Sequence, residues 1–260
     1  MSRDDAVNAG TRPWVLADGV ELADVAPGTR VVLDDDTTHH LTRVLRVRPG
    51  ATVELTDGRG VHAPAVVRTD GGVELAGELV RVPPPTPTVE VVQALPKGRK
   101  LDEVWRTCTE LGADVLTPVT CARSPVDVEG KEARRLARWQ AVVASAVSQS
   151  RRAWAPTVTL PRPVEQVLVT SGPGGAGAED VVAVLAHVGA TTPLHEVLEG
   201  RGAPPARVVL AVGPESGWSD AEVADAEAAG WVAARLGAPV LRTEHAAPAL
   251  VAVAAYALRR

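Results

Sequence analysis

The spacing of hydrophobic positions changes character at residues 83–87. Before that point, short β-branched runs (Arg30–Leu33, Thr52–Leu55, Val61–Val67, Val73–Leu75) are separated by the turn signals Pro49-Gly50, Asp57-Gly58 and Asp70-Gly71-Gly72. Runs of this length between such turns predict a small, mostly antiparallel β barrel over residues 1–82. His39–Val47 departs from the pattern, because Leu41, Val44 and Leu45 fall at helical spacing. The stretch Val82-Pro-Pro-Pro-Thr-Pro87 then lacks the backbone donors that a helix or a central strand needs, and it is the expected linker.

Beyond the linker, residues 88–260, apolar runs alternate with amphipathic ones. Val89–Leu95 reads as a buried strand, and Leu101–Leu111 places Leu101, Val104, Trp105, Cys108 and Leu111 on one helical face before Gly112 ends it. The unit recurs as strand Asp114–Val119 with a helix near Lys131–Ser148, then strand Val181–His187 with helix Pro193–Leu198. Strand Arg207–Val212 leads into helix Asp220–Ala229, and Trp231–Leu236 precedes a last helix ending near Leu258. Such alternation predicts an α/β domain whose mostly parallel sheet is covered on both faces.

Composition narrows the classes. The 260 residues hold 45% apolar side chains, enough for packed cores, and no run of about 18 apolar residues occurs. Met1–Asp18 lacks the basic start and apolar middle of a signal peptide, so a cytoplasmic protein without a membrane span is expected. Cys108 and Cys121, the two cysteines, have neither the spacing nor the neighbours of a disulfide framework or a metal site. The net charge of −5 disfavours a general nucleic-acid binder. Local basic clusters exist nonetheless: Arg43, Arg46, Arg48, Arg59 and Arg68 in the first region, and Lys131, Arg134, Arg135, Arg138, Arg151 and Arg152 in the second.

Gly172-Pro-Gly-Gly-Ala-Gly177 matches a dinucleotide-binding spacing, but that motif carries meaning only between a strand and the helix it opens. Here a short helix, Pro163–Val169, precedes it and a strand follows, so it reads as a loop. The chemistry-bearing loops lie later. Gly213-Pro-Glu-Ser-Gly-Trp218 follows a strand and runs into Ser219-Asp-Ala-Glu222, which has the form of a capping box. Leu236-Gly-Ala-Pro-Val-Leu-Arg-Thr-Glu-His245 again follows a strand and feeds a helix. Ligands of open α/β sheets sit at the C-terminal ends of strands, and glycines let backbone approach them. Pro248 is costly beyond a first helical turn, so Arg242–Ala247 is expected to stay non-helical over the ligand.

At these residues the sequence resembles the RsmE-type methyltransferases of the SPOUT class, which methylate N3 of a uridine in small-subunit ribosomal RNA. Gly213–Ser219 is similar to the family's Gly-Pro-Glu-Gly-Gly-Phe-Ser, and Leu236–Ala246 to its Leu-Gly-x-x-Ile-Leu-Arg-Thr-Glu-Thr-Ala. Lys97-Gly98, Thr109–Gly112, Pro118-Val119, Arg123-Ser124, Gln149-Ser150, His39–Leu41 and Val44–Arg46 add likeness along nearly the whole chain. The departures are Ser216 for glycine, His245 for threonine, Trp218 for phenylalanine, and Arg99 where an acidic residue is usual. Ser216 would narrow the loop if that position required a positive φ.

The resemblance implies a PUA-like RNA-binding barrel over 1–82 and a SPOUT domain with a trefoil knot over 88–260, acting as a homodimer. It implies S-adenosyl-L-methionine as cofactor, and as partner 16S rRNA within the assembled small subunit. Cofactor contacts are expected from Leu185 and His187, from Gly213, Pro214, Glu215 and Gly217, and from Leu236, Gly237, Leu241, Arg242 and Thr243. RNA contacts are expected from His40, Arg43, Arg46, Lys97, Arg123, Gln149, Ser150 and Arg151, with His39 packed in the barrel. Arg123, Arg242, Glu244 and His245 are the catalytic candidates, the last two as proton acceptors. Methylation of another base or of a ribose 2′-hydroxyl, and a ribosome-binding module without catalysis, stand as alternatives.

Overall fold

The structure, a computed structural model, describes residues 12–124, 130–175, 180–201 and 203–259. The N-terminal part of Met1–Asp18 and the end of the Gly172–Gly177 loop lie outside the described residues. The chain divides into two compact units.

The first unit takes in the chain to Pro84 together with Ala144–Ala155, a return segment that a boundary at 82–88 does not foresee. Its strands are β1 (Trp14–Leu16), β2 (Arg30–Val31), β3 (Thr52–Thr56), β4 (Val61–Val67), β5 (Val73–Leu75) and β6 (Val80–Arg81). They form one sheet in the order β1-β3-β4-β5-β2, with β6 also on β4, and all pairs are antiparallel except β1 with β3. Burial alternates along β4, so Val61, Ala63, Ala65 and Val67 face a core shared with Leu22, Leu41 and Leu55.

Helix α1 (Asp35–His39) starts four residues before the expected His39, because Asp34 caps it by accepting from the Thr37 N–H at 2.8 Å. It continues as a π-helical turn, His40–Val44, and closes on Arg46 with φ +53°. In the return segment, the Trp154 indole donates to the carbonyls of Val82 and Pro83, both at 3.0 Å.

The second unit holds β7 (Thr88–Ala94), β8 (Val115–Thr120), β9 (Thr157–Val158), β10 (Arg162–Pro163), β11 (Val181–Ala186), β12 (Arg207–Val212) and β13 (Val232–Ala234). They pair in parallel in the order β10-β8-β7-β12-β11-β13, with β9 also on β8. This is the α/β architecture that the alternation predicts. β11 and, after Arg207, β12 read as unbroken apolar runs because both their faces are covered, whereas β7 interrupts its run with the buried Glu90 and Gln93.

The helices are α2 (Lys100–Glu110), α3 (Glu132–Ser150, whose last residues belong to the first unit), α4 (Val164–Ser171), α5 (Leu194–Glu199), α6 (Asp220–Ala228) and α7 (Thr243–Leu258). α7 corrects the expectation of a non-helical Arg242–Ala247. The Arg242 carbonyl accepts from the His245 and Ala246 N–H groups at 2.9 and 3.0 Å, so the helix begins at Thr243 and runs through Pro248. Burial of Thr243, Ala247, Leu250, Val251 and Ala254, in a helix packed on α2, β7 and β12, outweighs the one backbone bond that proline removes. At its far end Arg259 donates to the Pro87 and Gly112 carbonyls and pairs with Asp114.

Candidate functional site

Four elements of the second unit end at one place. The C-terminal ends of β11, β12 and β13 and the start of α7 surround a cavity of about 760 Å³, whose walls are the 213–218 loop and the 234–244 segment, with Lys100 and Arg123 at its edge. The 213–218 loop is built by local rules. Pro214 accepts from the Gly217 N–H at 2.9 Å, and Gly217 alone in the loop takes a positive φ, +72°. Ser216 therefore sits in ordinary backbone, and its hydroxyl adds a bond to the Arg123 carbonyl at 3.2 Å. Ser219 and Glu222 form the capping box expected at α6.

Gly213 is glycine for a packing reason, since a Cβ there would lie 3.2 Å from the Trp218 ring. That ring is buried and its indole donates to the Ala186 carbonyl at 3.2 Å, joining the loop to the end of β11. Thr243 joins the loop to α7, its hydroxyl donating to the Gly213 carbonyl at 2.7 Å and accepting from Gln93 Nε2 at 3.0 Å.

The electrostatics centre on Lys100. Its ammonium donates to Glu215 at 3.1 Å and to Glu244 at 3.3 Å. Partial burial would raise the Glu215 carboxyl, but its own N–H and Lys100 outweigh this and hold it below the usual range. Glu244 is held low first by its own N–H at the start of α7, then by Lys100. The hydrogen bond that Lys100 donates to Glu215 is the largest cause of its raised pKa.

Of the expected cofactor contacts, His187, Gly213, Pro214, Glu215, Gly217, Leu236, Gly237, Leu241, Arg242 and Thr243 all line the cavity. Leu185 does not: its side chain is buried in the core one residue before the strand end. Among the catalytic candidates, Arg242 lines the cavity, exposed and with no hydrogen-bond or ion-pair partner for its guanidinium among the described residues. Arg123 also lines it, but spends its guanidinium on the carbonyls of Ser216 and Trp218 at 3.3 and 2.9 Å. Glu244 lines the cavity as an ionised carboxylate that is a weak base, and His245 lies exposed on α7, outside the lining.

The RNA candidates divide between units. His40, Arg43, Arg46, Gln149, Ser150 and Arg151 belong to the first, and all but the half-buried His40 and Ser150 are exposed. Lys97 and Arg123, both exposed, belong to the second. His39, expected to pack, is exposed on α1. Sequence reasoning missed Lys100 and Gln93. The first stands among other basic residues and the second inside an apolar strand, so neither has a local signal.

Known proteins resemble this chain along most of its length. Residues 83–255 match the family described as RNA methyltransferase domain, and residues 33–74 match the RNA methyltransferase PUA domain. The chain is 38% identical over 228 residues to the ribosomal RNA small subunit methyltransferase E of Mycobacterium bovis, covering 85% of this chain and 84% of that protein. It is 33% identical over 223 residues to the protein of the same name from Synechocystis, covering 82% and 68% respectively. Among solved structures, the Neisseria gonorrhoeae ribosomal RNA small subunit methyltransferase E bound to S-adenosyl methionine superposes with a TM-score of 0.79 at 28% identity, covering 95% of this chain and 98% of that one.

Proposed function

The chain belongs to the ribosomal RNA small subunit methyltransferase E family, and from that premise we propose that it transfers a methyl group from S-adenosyl-L-methionine to N3 of a uridine in 16S rRNA. The observation that carries the reading is the cavity at the C-terminal ends of β11, β12 and β13, walled by two glycine-containing loops. Its size suits one nucleoside-sized cofactor, and its lining combines backbone groups, apolar side chains and one charged cluster, which fits S-adenosyl-L-methionine. When bound there, the cofactor supplies an electrophilic methyl group at its sulfonium.

The protein's own part is positional and electrostatic. Gly213, Gly237 and their neighbours present backbone to the cofactor, and the Gln93–Thr243–Gly213 bonds hold the loop against α7. Arg242, a cation on the wall, stabilises the negative charge that develops on the uracil as N3 gives its proton to solvent water. Glu244, held ionised by its own N–H and by Lys100, serves the wall rather than the proton. The barrel, with Arg43, Arg46 and Arg151 exposed, engages the RNA backbone, which fixes register and leaves base choice to the cavity. The fuller reading places a trefoil knot at the chain's end, a homodimer as the working form, and the small subunit in the cytoplasm as substrate. No helix of the described residues is long and apolar enough to cross a membrane.

Calorimetric titration with S-adenosyl-L-methionine tests the cavity. Gly237 lines it, with only Pro239 near a would-be Cβ, at 3.8 Å. The wild type is expected to bind one equivalent per chain, and Gly237→Val to bind at least about tenfold more weakly while remaining folded. Equal affinities would remove the cavity from the account.

A further inference from the structure

The cavity is chemically asymmetric, and sheet order says which end is which. The central strands run β7, β12, β11, β13, so residues following their C-terminal ends reach the cavity in that order. The β7 side contributes Lys100 and the β12 side Glu215 and Asp220, while the β11 side contributes His187 and Val188 and the β13 side Arg235 and Leu236. Glu244 lies in the first turn of α7, which packs on β7 and β12. The carboxylates of the lining therefore gather at one end, and the other end carries none.

At the carboxylate end a single ammonium serves two carboxylates, with side-chain exposures of 39% for Lys100, 35% for Glu215 and 16% for Glu244. Their shifts keep all three ionised at neutral pH, so the cluster carries one net negative charge. A clasp meant only to join α2, the loop and α7 would do better with matched charges. An excess carboxylate on a cavity wall calls for a cation from the ligand, beside a lysine that can take an anion. An α-amino acid offers both on one carbon atom.

We infer that Lys100, Glu215 and Glu244 form the subsite that holds the amino-acid end of the cofactor, Lys100 receiving its carboxylate and the two glutamates its ammonium. The nucleoside end then lies toward β11 and β13. This assignment rests on the cavity being the S-adenosyl-L-methionine site. Charge balance favours that ligand: sulfonium, ammonium and carboxylate sum to one positive charge, which complements the cluster. The product of methyl transfer is a neutral thioether with a net charge of zero, so the same cluster attracts it less.

The test compares two thioethers by titration at neutral pH: S-adenosylhomocysteine, which has the amino-acid end, and 5′-methylthioadenosine, which lacks it. The wild type is expected to bind the first at least about tenfold more tightly, as charge-assisted hydrogen bonds to a partly shielded group allow. Lys100→Met should weaken S-adenosylhomocysteine about tenfold and change 5′-methylthioadenosine less than about twofold, the second ligand reporting that the cavity is still formed. Glu244→Gln should narrow the same gap. Equal affinities in the wild type, or a parallel loss of both ligands in both variants, overturn the assignment. A folded wild type that binds neither ligand overturns the cavity reading itself, and this inference with it.

Discussion

Replacing Thr243 by valine isolates one hydroxyl. The side chain is 7% exposed, and valine keeps its volume and branching, so no cavity opens. The buried Gly213 carbonyl loses a 2.7 Å donor. Gln93 Nε2 loses a 3.0 Å acceptor and falls back on the Ala94 carbonyl at 3.0 Å and the Val212 carbonyl at 3.5 Å. One buried group left unsatisfied costs about 1–3 kcal/mol, and a partly compensated one less, so about 2–3 kcal/mol of stability is expected to go. Urea denaturation measures it, with Thr243→Ser as the control that keeps the hydroxyl and retains most of the stability. Cofactor affinity should fall in the valine variant too, because the loop and α7 lose their shared bond. A valine variant within about 0.5 kcal/mol of wild type, or a serine variant equally damaged, would refute the role given to the hydroxyl.

Arg46 closes its turn at φ +53°, where glycine has no Cβ to strain. Arg46→Gly should therefore raise stability by about 0.5–1 kcal/mol while weakening RNA binding in a salt-dependent filter assay. Gly60 has φ +95°, and a Cβ there would lie 2.5 Å from the Trp154 ring, so Gly60→Ala should cost about 2–4 kcal/mol in thermal or urea unfolding. Glu215 and Glu244 have lowered pKa values, so their stabilisation is complete above the unfolded carboxylate value of 4.5 and is lost as pH falls through the lower folded values. Lys100 is raised, so its contribution is complete below 10.5 and is lost as pH rises through its higher folded value. Lys100→Met should flatten both limbs of a stability-against-pH curve.

The sheet was readable because strands covered on both faces leave continuous apolar runs, as in Val181–Ala186 and Arg207–Val212. Strands of two or three residues, such as β2, β6, β9 and β10, carry no period to detect, and they owe their existence to their neighbours. The two loops were legible through their glycines, and the capping box through Ser219 and Glu222. Long-range partnerships were not. Lys100 meets Glu215 across 115 positions, and Gln93 meets Thr243 across 150, separations at which local pattern says nothing. Pro248 misled for a related reason, since tertiary burial of the α7 face decided the helix against local preference. Sequence reads Arg123 as an RNA contact and a catalytic candidate, whereas its bonds to two loop carbonyls give it a share in shaping the cavity.

The central claim is the transfer itself. Small ribosomal subunits whose 16S rRNA lacks the modification would be incubated with the protein and methyl-labelled S-adenosyl-L-methionine, and the rRNA digested to nucleosides for mass analysis. The account predicts labelled 3-methyluridine, and its loss in Arg242→Ala. Label in a 2′-O-methylnucleoside or in another base would contradict the assignment to uridine N3, and no label from a protein that binds the cofactor would contradict methyl transfer to the rRNA.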